Sequence, residues 1–336
     1  FLEYAKKTWA IEPKQVFLIG QGYHMPNYRN NETLYAKTLI PTMGNPATDL
    51  LYTVSPQGIS IKTTIGIGRL SAQTLTDVEN YRNKVRDFEA QEPNPWMKTV
   101  LHFGGGSTAY EQSLFRYYLS QYERTLEGEY FGANVHSFYK ESSDVYETTE
   151  PEAIRGYMNA GTSMLTFFGH ASGSGFDQSI DHPSLFDNKG KYPLILANSC
   201  YSGDIFADND YNVSRTWVLI QNKGAIGFLA NVGPGQPNYL NIFSSAFIKR
   251  ISNTSYGEPI GICVAKSLSD VSNKVTIYSD LYEKVLGFAL HGDPAVALHA
   301  FEYPDLALNS SSLFFTPNLI TTDLEEATFN IAVQNR

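Results

Sequence analysis

At 336 residues, 42% hydrophobic and 18% charged, the chain can bury a sizeable core as one large domain or two. Its formal net charge of −9 disfavours a nucleic-acid partner. No apolar run approaches the ~18 residues that a membrane span needs, and no signal peptide is recognisable. The chain opens at Phe1 without an initiator Met and ends at Arg336 inside an alternating stretch, so a fragment of a longer protein is expected.

In chain order, Phe1 already lies within a helical pattern, and residues 15–20 (QVFLIG) predict a first buried strand, followed by a Gly-rich loop. Residues 26–57 are rich in Asn, Pro and Thr and read as irregular, and 59–67 as another strand pair or an extended run. Thr74, with Asp77 three residues on, predicts a capped helix whose face carries Val78, Tyr81, Val85 and Phe88. Residues 98–103 form the next strand, ending at Gly104-Gly105-Gly106-Ser107, and a helix follows over 110–125. Residues 134–139 are a short strand, and Thr149, Pro151 and Glu152 mark a helix start, Thr149 as its cap and Pro151 at the second helical position. Further strands are expected at 164–169, 194–199 and 225–230, with helices at 214–222, 239–252 and 259–270. This alternation predicts an α/β fold, a parallel sheet with helices on both faces. After Pro304, apolar and polar residues alternate, which reads as the opening strands of a β-sandwich.

The two central runs carry the chemistry. Met164-Leu165-Thr166-Phe167-Phe168-Gly169 stops at His170, and Leu194-Ile195-Leu196-Ala197-Asn198-Ser199 stops at Cys200. Apolar runs of this length bounded by Gly and Ser read as buried parallel strands, and ligands of open α/β sheets sit beyond the strands' carboxyl ends. One strand thus delivers a base and the other a thiol to one rim. A free thiol titrates near ~8.5, and a neighbouring imidazolium or helix N-terminus lowers that by several units. Ser202 and Gly203 would let the backbone turn sharply and aim N–H groups at an oxyanion. Cys263, inside an apolar helix, reads as a core thiol.

Phe168-Gly169-His170-Ala171-Ser172 and Asn198-Ser199-Cys200-Tyr201-Ser202-Gly203-Asp204 resemble the two catalytic motifs of the gingipain-type cysteine peptidases, family C25 of the caspase-like clan CD. Within that family the chain is most similar to the sortase group of the Bacteroidetes type IX secretion system, over about Pro13 to Pro304, including Ile65–Leu70 and Phe288–Ala295. The resemblance implies a caspase/gingipain-like α/β sandwich: residues 1–150 as an N-terminal subdomain, 151–303 as the catalytic one, and 304–336 as the start of an Ig-like β-sandwich. It implies a Cys200–His170 dyad with the N–H groups of Cys200 and Ala171 as oxyanion hole. It also implies removal of a C-terminal secretion domain from cargo proteins, transfer to an amine-bearing lipopolysaccharide, contact with other secretion components, and a place at the cell surface, the outer membrane or outside the cell. A secreted endopeptidase and a catalytically silent binding module are the alternatives.

The family's imidazole-orienting glutamate sits just before a Gly-rich loop, but the matching Leu101-His102-Phe103 carries no carboxylate. His102 and Glu111 are the nearby candidates, the bare dyad or an orienting backbone carbonyl being the alternatives. Ser107-Thr108-Ala109-Tyr110 lacks the aspartate that Arg-specific relatives use, so that specificity does not carry over. The Gly104–Thr108 loop lacks a Gly-Lys-Ser/Thr ending and is no phosphate loop, and no Gly-x-Ser-x-Gly elbow exists. Asp208 and Asp210 open like a calcium loop but lack its later Gly and Glu; no cofactor is required, and calcium there is held open as a structural ion. Asp177, Asp181 and His182 are read as a substrate-facing loop rather than a metal site, and His291-Gly292-Asp293-Pro294 as a turn back to the sheet edge.

Overall fold

The computed structural model describes residues 1–54, 61–147, 150–172, 175–208, 212–275, 279–301, 306–307, 312–316, 319, 321, 323–324, 326–332 and 334–335. The strands before residue 300 are β1 (Gln15–Ile19), β2 (Gly66–Leu70), β3 (Thr99–Gly104), β4 (Asn134–Tyr139), β5 (Met164–Phe168), β6 (Ala171–Ser172), β7 (Gly175–Phe176), β8 (Leu194–Asn198), β9 (Gly227–Asn231) and β10 (Phe288–His291). The helices are α1 (Leu2–Thr8), α2 (Met25–Arg29), α3 (Glu32–Lys37), α4 (Leu75–Glu89), α5 (Ala109–Leu126), α6 (Pro151–Ala160), α7 (Val213–Leu219), α8 (Pro237–Lys249), α9 (Ile260–Val271) and α10 (Asp280–Leu286).

Eight strands form one sheet in the order β1-β2-β10-β9-β8-β5-β3-β4. The α/β class holds, with one correction to the parallel sheet. β10 runs parallel to β2 but antiparallel to β9, so two parallel blocks of opposite direction meet at that seam. Apolar patterning identifies a buried strand but carries no sign of its direction. His291 therefore ends an interior strand, not a turn at the sheet edge. Residues on both sides of position 150 share this sheet: β1–β2 lie at one edge, β3–β4 at the other, and the later strands between them.

Alternation along each strand divides the core. On one face Val100, Met164, Phe168, Leu194 and Leu196 pack with Phe115, Leu119, Phe243, Phe247, Val264 and Leu268 of α5, α8 and α9. On the other, Leu101, Phe103, Leu165, Phe167, Ile195 and Ala197 pack with Ile154, Met158, Trp217 and Val218 of α6 and α7. All five residues of β5 and of β8 are buried. At ~1.5–3 kcal/mol per large side chain, these strands are the rigid base of the site.

Local departures have physical causes. The strand expected at 59–67 begins instead at Gly66. A Cβ there would come within 2.6 Å of the Gly261 backbone, and one at Gly68 within 2.4 Å of the Gly292 carbonyl, so the glycines admit close neighbours instead of ending the strand. Residues 59 and 60 lie outside the described residues, as does Thr149, the expected cap of α6. Pro151 takes the first helical position rather than the second, and no side chain caps that helix. Within 26–57, read as irregular, α2 and α3 form short turns, the latter capped by Asn31. After residue 304, β11 (Leu306–Ala307) pairs antiparallel with β14 (Gln334–Asn335), and β12 (Leu313–Thr316) with β13 (Thr328–Ile331).

Candidate active site

β5 and β8 are hydrogen-bonded neighbours, with Phe168 opposite Asn198, so both leave the sheet at one rim. Gly169 N–H still donates to the Asn198 carbonyl at 3.2 Å, and His170 then turns out of the sheet with 48% of its side chain exposed. Its Nε2 lies 3.2 Å from Glu111 Oε1. Glu111 is held by a capping box at the start of α5. Thr108 Oγ1 accepts the Glu111 N–H at 3.2 Å, while Glu111 Oε2 accepts the N–H groups of Ser107 at 2.9 Å and Thr108 at 3.2 Å. Partial burial pushes this carboxyl up, but the hydrogen bonds from His170, Ser107 and Thr108 outweigh it and hold it below the ordinary carboxylate range. With Nε2 engaged by a carboxylate, the imidazole's Nδ1 is left for proton transfer.

The thiol sits on a strained elbow. Tyr201, directly after Cys200, has φ of 55°, the left-handed region that costs a bulky residue about 1–2 kcal/mol. The loop that follows β9 compensates. Tyr201 N–H donates to the Gly233 carbonyl at 3.0 Å, and Gly203 N–H to the Asn231 carbonyl at 3.0 Å. Gly235 N–H donates to Cys200 Sγ at 3.2 Å. The thiol in turn lies 3.7 Å from the Gly235 carbonyl oxygen, so one residue brackets the sulfur. Gly203 has to be glycine, since a Cβ would approach the Ala230 carbonyl oxygen to 2.4 Å. The far side of the elbow is tied to the segment after β1: His24 Nε2 lies 2.8 Å from Asp204 Oδ1, and Gln21 Nε2 donates to the Ile205 carbonyl at 2.9 Å.

The model of peptidase family C25 matches residues 1–299. The chain belongs to peptidase family C25. As a C25 protein it is a cysteine peptidase. Its fold is similar to that of the Arg-specific cysteine proteinase gingipain R (RgpB), at 15% identity over 94% of this chain and 72% of that one, with a TM-score of 0.67. A complex of the Porphyromonas gingivalis RgpB pro- and mature domains matches at 14% identity over 94% and 74%, with a TM-score of 0.67. At these identities the likeness shows the fold. No curated protein sequence matches the chain.

Other residues of this C25 chain that the sequence pointed to fall in varied places. Ala171 begins β6 opposite Phe176 of β7, while the flanking His170 carbonyl accepts the Asp177 N–H at 2.9 Å. In that antiparallel alternation the Ala171 N–H faces away from β7, as an oxyanion donor would. No helix begins at Cys200, because turns follow it and α7 starts only at Val213. The backbone N–H at the sulfur is that of Gly235. His102 lies inside β3, fully buried, and burial lowers its imidazole to about 3. It is a core residue, since the strand register points it into the sheet face rather than at the rim.

Asp177 does not face substrate, its side chain being only 8% exposed. Asp181 pairs with Arg155 at 2.6 Å, and His182 Nδ1 bonds Ser184 Oγ at 2.8 Å. Asp208 faces a cavity of about 410 Å³ that Lys37 and Arg215 also line, and Asp210 lies outside the described residues. No metal-holding group of three acids, His or Cys occurs among the described residues. Cys263 is fully buried, and burial pushes its thiol up to about 12. Sequence reasoning missed Gly235; its only sequence signal was a Gly-Pro-Gly turn directly after a predicted strand.

Proposed function

We propose that this peptidase works by acyl transfer through Cys200 and His170 and acts as a sortase-like enzyme on secreted cargo. The observation that carries the chemistry is the His170–Glu111 contact on the strand beside the Cys200 elbow. His170 takes the Cys200 thiol proton as the sulfur attacks a peptide carbonyl, and the tetrahedral oxyanion is held by the N–H groups of Cys200 and Ala171. His170 passes its proton to the leaving amine, and the C–N bond breaks to give a thioester. An acceptor amine or water then attacks the thioester and releases Cys200. No cofactor enters this sequence.

The cargo reading rests on the likeness of the two motifs to the type IX secretion sortases. Its substrates are proteins with C-terminal signal domains, its acceptor an amine-bearing lipopolysaccharide, and its place the cell surface or outer membrane beside other secretion components. A plain secreted endopeptidase is the second reading, favoured by the exposure of nearly half of the His170 side chain, which gives water access to the thioester.

The test is incubation of a cargo protein carrying its C-terminal domain with and without a small primary amine, with the new carboxyl end read by mass spectrometry. Aminolysis at the cut supports the sortase reading, and a free carboxylate alone supports the endopeptidase. Cys200→Ala abolishes both products while leaving the thermal melt in place. Equal turnover in that variant overturns the whole mechanism.

A further inference from the structure

The contacts between His170 and Glu111 depend on two separate loops arriving in register. His170 follows β5, whereas Glu111 belongs to α5, which grows out of the Gly104–Gly106 loop after β3. One buried carboxylate joins those loops. Asp177 Oδ1 accepts the N–H groups of His170 and Gln178, both at 3.1 Å, and Asp177 Oδ2 accepts the N–H of Gly106 at 2.8 Å. The glycines beside it are shaped to it. A Cβ on Gly105 would lie 2.0 Å from Asp177 Oδ1, and one on Gly169 2.6 Å from the same atom. Gly106, with φ of +122°, then hands the chain to Ser107 and Thr108, whose N–H groups hold Glu111. The Gly106 carbonyl also accepts from Gln112 Nε2 at 3.1 Å, a second tie to the first turn of α5.

The charge is balanced from below. Lys140, at the end of β4, has a fully buried side chain whose Nζ is 3.7 Å from Asp177 Oδ2. Among the described residues that ammonium makes no hydrogen bond, although Glu147 also feels its charge. An ion placed there without a hydrogen-bonding partner is expensive unless it compensates another. Three oriented backbone donors and one buried cation are more than a loop needs to close.

We infer that Asp177 is the positioning residue of the peptidase centre: its carboxylate, balanced by Lys140, sets the distance between His170 and Glu111. It touches no substrate. It acts by fixing the His170 backbone and the root of α5 to one pair of oxygens. The inference rests on the thiol chemistry proposed above.

The experiment reads the pH profile of iodoacetamide alkylation at Cys200, which requires no substrate, in chains whose circular dichroism matches wild type. Asp177→Asn alone leaves Lys140 uncompensated and endangers folding, so the informative variant is Asp177→Asn with Lys140→Met. In that double variant the alkylation midpoint moves upward by roughly half a pH unit, the scale of one half-exposed charge pair. Glu111→Gln alone gives the same shift, and adding it to the double variant moves the midpoint no further. A natively folded double variant with the wild-type midpoint overturns the inference, as does a second, additive shift on introducing Glu111→Gln. A wild-type Cys200 that alkylates no faster than an ordinary thiol is a separate outcome: it defeats the thiol mechanism itself, and the inference with it.

Discussion

Replacing Glu111 with Gln isolates what the carboxylate does for the imidazole. Gln is an accepted partner in a capping box, so its carbonyl can keep the bonds to Ser107 and Thr108 N–H and the start of α5 stays intact. Its amide then faces His170 Nε2 as a donor, where wild type offers an acceptor at 3.2 Å. The ring settles with its proton on Nδ1, the wrong tautomer for taking a proton from the thiol. Two losses add. The charge pair is screened, with 48% of His170 and 29% of Glu111 exposed, and is worth ~0.2–1 kcal/mol. The tautomer mismatch forfeits a hydrogen bond of ~0.5–1.5 kcal/mol. Together these predict a fall in kcat/KM of about 3- to 70-fold.

The assay is cleavage of a mixed-sequence quenched peptide library, with thermal melts in parallel. Because the Glu111 carboxyl is held below its ordinary range, the pair stabilises the fold fully above the usual carboxylate range near ~4.3 and is lost as pH falls through the lowered value. The acid limb of the wild-type melting profile should therefore flatten in Glu111→Gln, with no change at pH 7 beyond the pair's own small contribution. Wild-type kcat/KM in a folded Glu111→Gln chain would refute the reasoning.

Three further outcomes follow from the geometry. Arg69 is fully buried and donates to both Asp49 oxygens at 2.7 Å, and to the carbonyls of Gly20, Ile40 and Pro41. Arg69→Met leaves Asp49 uncompensated and should cost about 3–5 kcal/mol in denaturant unfolding, much of it regained in Arg69→Met with Asp49→Leu. Tyr201→Val should lower stability, because it introduces a branched Cβ at φ of 55°, whereas Tyr201→Gly should relieve the about 1–2 kcal/mol that this region costs a residue with a Cβ. Cys263, its thiol pushed up to about 12 and fully buried, should resist iodoacetamide at pH 8 in the native chain and react only after unfolding.

The dyad strands were legible because two continuous apolar runs end at chemically reactive residues, and a run buried on both faces is hard to disguise. Helix α4 was legible through its capping box, Thr74 with Asp77, whereas the matching box of α5, Thr108 with Glu111, went unread. What distance along the chain hides was not legible. Glu111 stood beside His102 as a candidate in the sequence, but only the pairing of β3 with β5 decides between them by bringing Glu111 to His170, and the same pairing brings Asp177 to Gly106. Gly235 meets Cys200 only because β8 pairs with β9. β10 escaped for another reason: its four buried residues look the same whichever way the strand runs.

That late strand and the helix before it also hold the support of the thiol elbow. Asn231, which holds the elbow through Gly203, is itself gripped from the far end of the chain: its side-chain amide donates to the Lys284 carbonyl at 2.8 Å, and the Val232 N–H to the Gly287 carbonyl at 2.8 Å. β10 then closes the gap between β9 and β2. A chain emerging vectorially from a ribosome or a translocation pore displays His170 and Cys200 long before this wall exists. Its nucleophile loop finds partners in and after β9, but Asn231 and Val232 there gain their own ties to Lys284 and Gly287 only when residues beyond 280 have docked. Late closure of the sheet thus makes the support behind the nucleophile elbow the last part of the site that the chain order can complete.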